Sequence, residues 1–549
     1  MNIIEELQSS FHSFLIQTFA ITSEQAAAVQ FALNTDSAKV DFGDMSSNAA
    51  LIMGKDQKTN PRLIAQTIVD TFKHTHIEKL EIAGPGFVNI TLTQTAYKAL
   101  CEHIFDEPTA FFKLTEGVPR LNYSIEFVSA NPTGPLHLGH GRGGIIGDVL
   151  AKVMHFVGHR TTKEFYINDA GLQIQKLAKS FKIRCLQALG MPIDLPEDSY
   201  HGSYLEVLAQ QCILEHKDLT EKSDEFFAMY AQTHMLTHIQ KTLAAYGITF
   251  DVWFSEKTLH TKGAIDHALK LLNDKGLTYQ QDNALWFKSI AFGDDKDRVL
   301  RKSTGELTYA AADIAYMENK LERTFDRLIY ILGQDHHSYV TRLKGIMAAL
   351  GNNPDHLTVI LYQLVTLKEN GEAVRMSKRA GTIISLEEVI NTVGADVARF
   401  FFLNRKADSH LEFDLELALK KTEENPIYYI QYAYVRTNSI IKKALAHPEF
   451  QGITSKDILT ISFDEKILIK KIISLKYTLE TITKNYQTHI LTYYTLELAQ
   501  AFHLYYSKHK VINMDNTAES RSRLLLIMTI KNTLELCLNL LGISAPESM

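Results

Sequence analysis

The stretch from Tyr123 to Asp169 constrains this chain more than any other. "YSIEFVSA" alternates Ile125 and Phe127 as a strand does, and "NPTGPLHLGHGRGG" then interrupts it with two prolines and five glycines. Ile146, Val149, Leu150 and Val153 recur at helical spacing, Gly158 suits the helix end, and "KEFYIND" reads as a second strand. Strand, helix and strand make a βαβ unit, which commits the region to a parallel sheet. Further on, "RLIYIL", "GQDHH", "SYVTRLKGIMAAL" and "LTVILYQLVTL" read as strand, loop, helix and strand. The expected fold is a doubly wound, Rossmann-like α/β domain, whose ligands sit beyond the carboxyl ends of its strands. Both odd loops, Asn131–Gly144 and Gln334–His337, fall at such ends.

A chain of 549 residues exceeds what one hydrophobic core serves, and its texture changes twice. Residues 1–106 read as a small α+β N-terminal domain ending in the strand-like "GPGFVNITLT". Residues 115–410 read as the α/β domain, with a mostly helical, polar insertion at 174–258. Residues 411–549 read as all-α, with "NPIYYIQYAYVRTNSIIKKAL" the clearest amphipathic start. The net charge of -6 gives nucleic-acid binding no support, although from Asn425 onward 14 Lys and Arg stand against 10 Asp and Glu. Four scattered cysteines (Cys101, Cys185, Cys212, Cys537) without a CxxC pair argue against a disulfide framework or a cysteine zinc site and fit a reducing cytoplasm. No signal peptide and no apolar run long enough to cross a bilayer is found, so no membrane partner is expected.

A bound phosphate asks for backbone N–H groups at a helix start, close approach without Cβ atoms, and nearby donor side chains. Gly139, Gly141, Gly143 and Gly144 could give the approach, and His137 and His140 could donate to developing phosphorane charge. The two histidines lack HExxH spacing, so no protein-bound metal is expected. A second signal is "ENGEAVRMSKRAGTIISLEEV": Asn370-Gly371 suits a hairpin turn, and Ser385 with Glu388 makes a capping box. Between them lie Arg375, Lys378 and Arg379. Either loop alone is a common surface feature; the pair in one α/β domain is far more specific.

"HLGH" followed by "RMSKR" resembles the two signatures of class I aminoacyl-tRNA synthetases. "EFVSANPTGPLHLGHGRGGIIGD", "FYINDAG", "FDVWFSEKTL", "TYAAADIAY", "LGQDHHSYV", "VRMSKRAGT", "GADVARFFFLNRKADSHLEFDLELA" and "ENPIYYIQYA" narrow the resemblance to arginyl-tRNA synthetases, in that family's order over nearly the whole chain. The resemblance implies ATP-dependent activation of L-arginine to arginyl-adenylate and transfer to the 3′ end of tRNA(Arg), with adenylation awaiting bound tRNA.

Carried over residue by residue, it implies that His137 and His140 meet the ATP phosphates and that Gly139 leaves room for adenine. Lys378 then grips the pyrophosphate end beside Met376 and Ser377, with Asp335 also on ATP and Mg2+ arriving on the nucleotide. A guanidinium calls for carboxylates in charge-assisted pairs; the family's motifs put Glu256 and Asp313 there, with Tyr309 alongside. Asn131 falls to the α-amino or carboxylate end of arginine, with His336 nearby. Phe87 and Asn89 of an elbow-reading N-terminal domain, and Tyr432 of an anticodon-reading helical domain, become the tRNA contacts. The lysine loop departs from the pattern, with Arg375 where many class I enzymes have lysine and Arg379 in place of serine. A catalytically silent tRNA-binding relative would show damage among these residues, yet all are present. Another HxGH nucleotidyl transferase would not need a helical C-terminal third. A monomer is expected, since nothing points to an obligate dimer.

Overall fold

The computed structural model describes residues 2–35, 42–115, 117–369, 371–373 and 384–549. It divides into two compact units: residues 119–420 with 486–489, and residues 1–118 with 421–485 and 490–549.

The first unit is built on a five-stranded parallel sheet: β1 (Asn122–Phe127), β2 (Arg160–Ile167), β3 (Val252–Ser255), β4 (Arg327–Gly333) and β5 (Leu357–Tyr362). Its spatial order is β5-β4-β1-β2-β3. Because the chain runs outward from β1 to β3 and then restarts at β4 on the other side, the order reverses between β1 and β4. A crevice opens at such a reversal, beyond the carboxyl ends of the two strands. β1 leads into Asn131–Gly144 and β4 into Gln334–His336. The helices that matter for the site are α1 (Leu138–Val157), α2 (Tyr309–Glu322), α3 (Tyr339–Ala349) and α4 (Leu386–Val393). Gly158 ends α1 at φ 114°, the left-handed conformation expected of a C-terminal glycine.

Three features add detail to the expected elements. The mostly helical segment 174–258 carries helices Leu172–Ala188, Ser203–Glu215 and Asp224–Ala245 and then supplies β3, an edge strand of the main sheet. Residues 278–301 add a three-stranded antiparallel sheet that alternation alone did not reveal. "LTVILYQLVTL" is two strands, since the chain leaves β5 at Tyr362 and joins a second sheet at Val365–Glu369, with Leu364 exposed between them.

In the second unit, residues up to Leu92 form a four-stranded antiparallel sheet with helices, and the C-terminal part packs helices Pro426–Leu445, Phe463–Asn485, His489–Lys508 and Thr517–Leu541. Thr517–Leu541 corrects the reading that no apolar run could cross a bilayer. With a mean hydropathy of 1.6 it is long and apolar enough, although 67% of that stretch is buried within the protein, as in a core helix. All four cysteines are buried and free.

Candidate active site

The first histidine of "HLGH" is the N-cap of α1. His137 Nδ1 accepts from the Gly139 N–H (3.1 Å) and His140 Nδ1 accepts from the His137 N–H (3.2 Å), a capping box made of imidazoles. The rings stack at 3.7 Å between centroids. With Nδ1 occupied as an acceptor, each neutral ring carries its proton on Nε2 and keeps that N–H as a donor.

The glycines divide by role. Gly139, half-buried in the first turn, is next to the His137 ring. Gly141, Gly143 and Gly144 are buried inside the unit, so the close approach they allow is to protein: a Cβ on Gly143 would stand 2.6 Å from the Tyr362 ring, and one on Gly141 would strike Leu386. Arg142 between them is fully buried and donates to the carbonyls of Gln363 (2.8 Å), Ser409 (2.8 Å) and Lys406 (2.9 Å), while burial lowers its pKa to about 10.

Arg375, Met376, Ser377, Lys378 and Arg379 lie outside the described residues, as does Asn370. The chain that follows them is fixed against α1: Ser385 forms a β-bridge with His137, and Leu386 N–H donates to Leu136 O at 2.8 Å. Ser385 and Glu388 form the expected capping box of α4.

Glu256 is 5% exposed at the carboxyl end of β3, where Asn168 donates to its Oε2 (3.1 Å) and His260 stands 3.7 Å from Oε1. Burial raises its pKa, against an opposing bond from the Tyr166 hydroxyl. Asp313 lies one turn into α2, and its Oδ2 is a buried oxygen with no hydrogen-bond partner. Burial pushes its pKa up to about 7, countered by Arg342 and the Tyr339 hydroxyl and reinforced by the charges of Glu256 and Glu126. Tyr309 opens α2 and is 57% exposed, which rules out a core role for it. Asn131 is half-buried and donates to Gln173 Oε1 (2.8 Å). Asp335 and His336, 3.7 Å apart, are exposed on the turn after β4.

Several side chains here escaped sequence reasoning. Tyr166 and Phe254 stack beside Tyr316, and the Tyr166 hydroxyl faces Glu256. Glu126 and Glu164 are register partners on β1 and β2, answered by Lys320 and by Arg323, which is bidentate on Glu164. Tyr166, Glu126 and Tyr339 lay inside the quoted motifs "FYINDAG", "EFVSA" and "LGQDHHSYV". For Glu126 and Tyr166 the signal was a polar or aromatic residue in an otherwise apolar strand, whereas Tyr339 opens the helix α3. The charges of Glu256 and Glu126 bear on Asp313, while Lys320 and Arg323 are engaged by Glu126 and Glu164. A buried carboxyl group so placed favours a cationic partner. Among the described residues no group of three or more His, Cys, Asp or Glu is placed to hold a metal.

Of the tRNA candidates, Phe87 is 38% exposed after the Gly84–Gly86 turn, whereas Asn89 is 6% exposed in an inner strand and has almost no surface to offer. Tyr432 is half-buried and stacked on His503 at 5.6 Å, and the Arg436 guanidinium lies over its ring and over that of Tyr506.

Three family models match in turn: the arginyl tRNA synthetase N-terminal domain over residues 5–92, the class I (R) tRNA synthetase catalytic domain over 120–414, and the DALR anticodon binding domain over 430–549. An arginine–tRNA ligase of Desulforamulus reducens is 43% identical over 519 residues, covering 92% of each chain. One of Geobacillus thermodenitrificans is 39% identical over 561 residues, covering 100% of both. The arginyl-tRNA synthetase of Thermus thermophilus has a similar fold (TM-score 0.76, 18% identity, 100% of both chains).

Proposed function

The chain belongs to the arginyl-tRNA synthetase family, a class I family that joins arginine to tRNA at the expense of ATP, and we propose that the crevice between β1 and β4 is where it does so. The observation that carries the assignment is the orphaned carboxylate oxygen of Asp313, buried where the like charge of Glu256 acts on it. A guanidinium stays cationic when buried, is planar and presents paired N–H donors, so it fits two converging carboxylates better than an ammonium does. Asp313 and Glu256 hold it, Tyr309 covers it, and Asn131, with His336 nearby, takes the α-amino and carboxylate end.

Arginine's carboxylate oxygen then attacks the α-phosphorus of ATP, and pyrophosphate leaves with the electron pair of the broken P–O bond. Positioning and charge stabilisation do the work, since no covalent enzyme intermediate is needed. The Nε2–H groups of His137 and His140 donate to the phosphate oxygens at the start of α1, Gly139 leaves room for adenine, and Asp335 borders the nucleotide. Lys378, with Met376 and Ser377, is assigned to the leaving pyrophosphate, and Mg2+ enters as part of the nucleotide substrate. Residues 115–410 are the catalytic domain, 1–106 meet the tRNA elbow through Phe87, and 411–549 meet the anticodon through Tyr432. The protein acts as a cytoplasmic monomer that activates arginine only with tRNA bound.

The test is charging of total tRNA with arginine, lysine and citrulline, together with arginine-dependent pyrophosphate exchange with and without tRNA. Charging by arginine alone is expected, with exchange only when tRNA is present. A folded protein that binds tRNA and charges nothing would be the catalytically silent relative.

A further inference from the structure

Glu126 sits near the end of β1, before the nucleotide loop, and its charge bears on Asp313. Its two oxygens take different partners. Oε2 takes the Tyr316 hydroxyl (2.7 Å) and the Lys320 ammonium (2.7 Å) from α2. Oε1 takes the Ser129 hydroxyl at 3.3 Å, and that same hydroxyl accepts the Tyr166 N–H at 3.1 Å. Two features make these contacts more than core filling. Val128 (φ 67°) and Ser129 (φ 41°) are consecutive non-glycine residues in the left-handed region, and Val128 is β-branched. Each such residue is strained and persists only where its surroundings over-determine it. On α2, Tyr309, Asp313, Tyr316, Lys320 and Arg323 follow one another at helical spacing, a polar face in contact with β1 and β2 through Glu126 and Glu164. One carboxylate therefore grips both the turn from which Asn131, His137 and His140 depart and the helix that presents Asp313.

Resting on the function proposed above, we infer that Glu126 is a positioning residue that sets the register between the nucleotide loop and the arginine-holding helix. It acts through the Ser129 hydroxyl on one side and through Tyr316 and Lys320 on the other. Glu164 is the register partner of Glu126 but has no contact with the turn, being tied up by Arg323 and Tyr316.

Three variants separate the two arms: Ser129→Ala, Tyr316→Phe and Glu126→Gln, each measured in tRNA-dependent pyrophosphate exchange and by thermal melting. Ser129→Ala should lower kcat by about tenfold and leave the arginine KM within about twofold. That is a modest part of the hundredfold that a 1 Å misplacement can cost. Tyr316→Phe should raise the arginine KM by about fivefold with little change in kcat, because it removes the hydroxyl shared by Glu126 and Glu164 from the middle of a helix that still folds. Glu126→Gln should show both effects, and adding Ser129→Ala to it should cost no further kcat, since the two act through one contact. Wild-type kcat and arginine KM in Ser129→Ala and Tyr316→Phe would overturn the inference even if Glu126→Gln failed to fold. So would additive losses in the double variant. A wild-type protein that does not charge arginine would instead remove the functional reading on which the inference rests.

Discussion

Asp313 is where a single residue has the most testable consequence. Its carboxyl is raised to about 7 chiefly by burial, so in the protein without arginine it is half protonated near neutrality. Only the ionised form pairs with a guanidinium. Arginine affinity should therefore rise as pH increases from 6 to 8, and in Asp313→Asn that rise should vanish while affinity drops by two orders of magnitude or more, on the scale of losing a charge-assisted pair. ATP affinity should be spared; equal losses for both ligands would sink the assignment. Stability runs the other way. An acid whose folded pKa exceeds its unfolded value stabilises the fold below the unfolded pKa, and that contribution disappears as pH climbs through about 7. The free enzyme should thus lose thermal stability between pH 5 and 8 relative to Asp313→Asn, and saturating arginine should restore more of it at pH 8 than at pH 6.

At the scale of one element, α1 shows how a catalytic pair can also be a folding device. His137 and His140 cap the helix through Nδ1, and the proposed contact with the nucleotide uses the other ring nitrogen, Nε2. The two roles can be separated. His140→Ala removes both, and should slow adenylation by about two orders of magnitude, as loss of one transition-state donor does, and lower the melting point by a few degrees for a cap worth about 1 kcal/mol. His140→Gln replaces the N3 capping partner with one of the two side chains that ordinarily serve there; it should recover the melting point and not the rate. Recovery of both would make the imidazole dispensable to chemistry. The strand–loop–helix signature of this element was legible because its apolar spacing switches from two to helical at the loop. The role of its glycines was not: Gly141, Gly143 and Gly144 look like phosphate-approach residues in sequence, and only the neighbours Leu386, Tyr362 and Ile248, distant in the chain, show that they admit packing partners. Glu126 and Lys320 were illegible for the same reason, since a charge in a strand reveals its purpose only when its counter-ion, 194 positions away, is seen beside it. The capping box at Ser385 and Glu388 is wholly local, and it was readable.

At the scale of the molecule, the order of the chain and the order of folding units differ. Residues 1–118 share a unit with the C-terminal helices, although the catalytic segment separates them in sequence. Lys476 shows what joins the two parts of this unit. Buried, it pairs with Glu5 at 2.7 Å from the first helix and donates to the carbonyls of Lys113 (2.8 Å) and Phe111 (3.3 Å). Gln94 adds a reciprocal pair with the backbone of Ile461, and Lys470 stands 3.2 Å from Asp44. Composition could not show this, because a lysine in an amphipathic helix reads as solvated surface. Lys476→Met keeps the length and apolar stem of the side chain but leaves Glu5 and two carbonyls without their cation. Removing one partner of a buried pair costs about 3–5 kcal/mol, and somewhat less here because Thr115 still donates to Glu5. The melt of the variant should split, with an early transition lowered by roughly 5–10 °C, while arginine binding measured by calorimetry below that transition stays at the wild-type value. Loss of arginine binding in step with the early transition would mean that the catalytic unit depends on the other for its own fold.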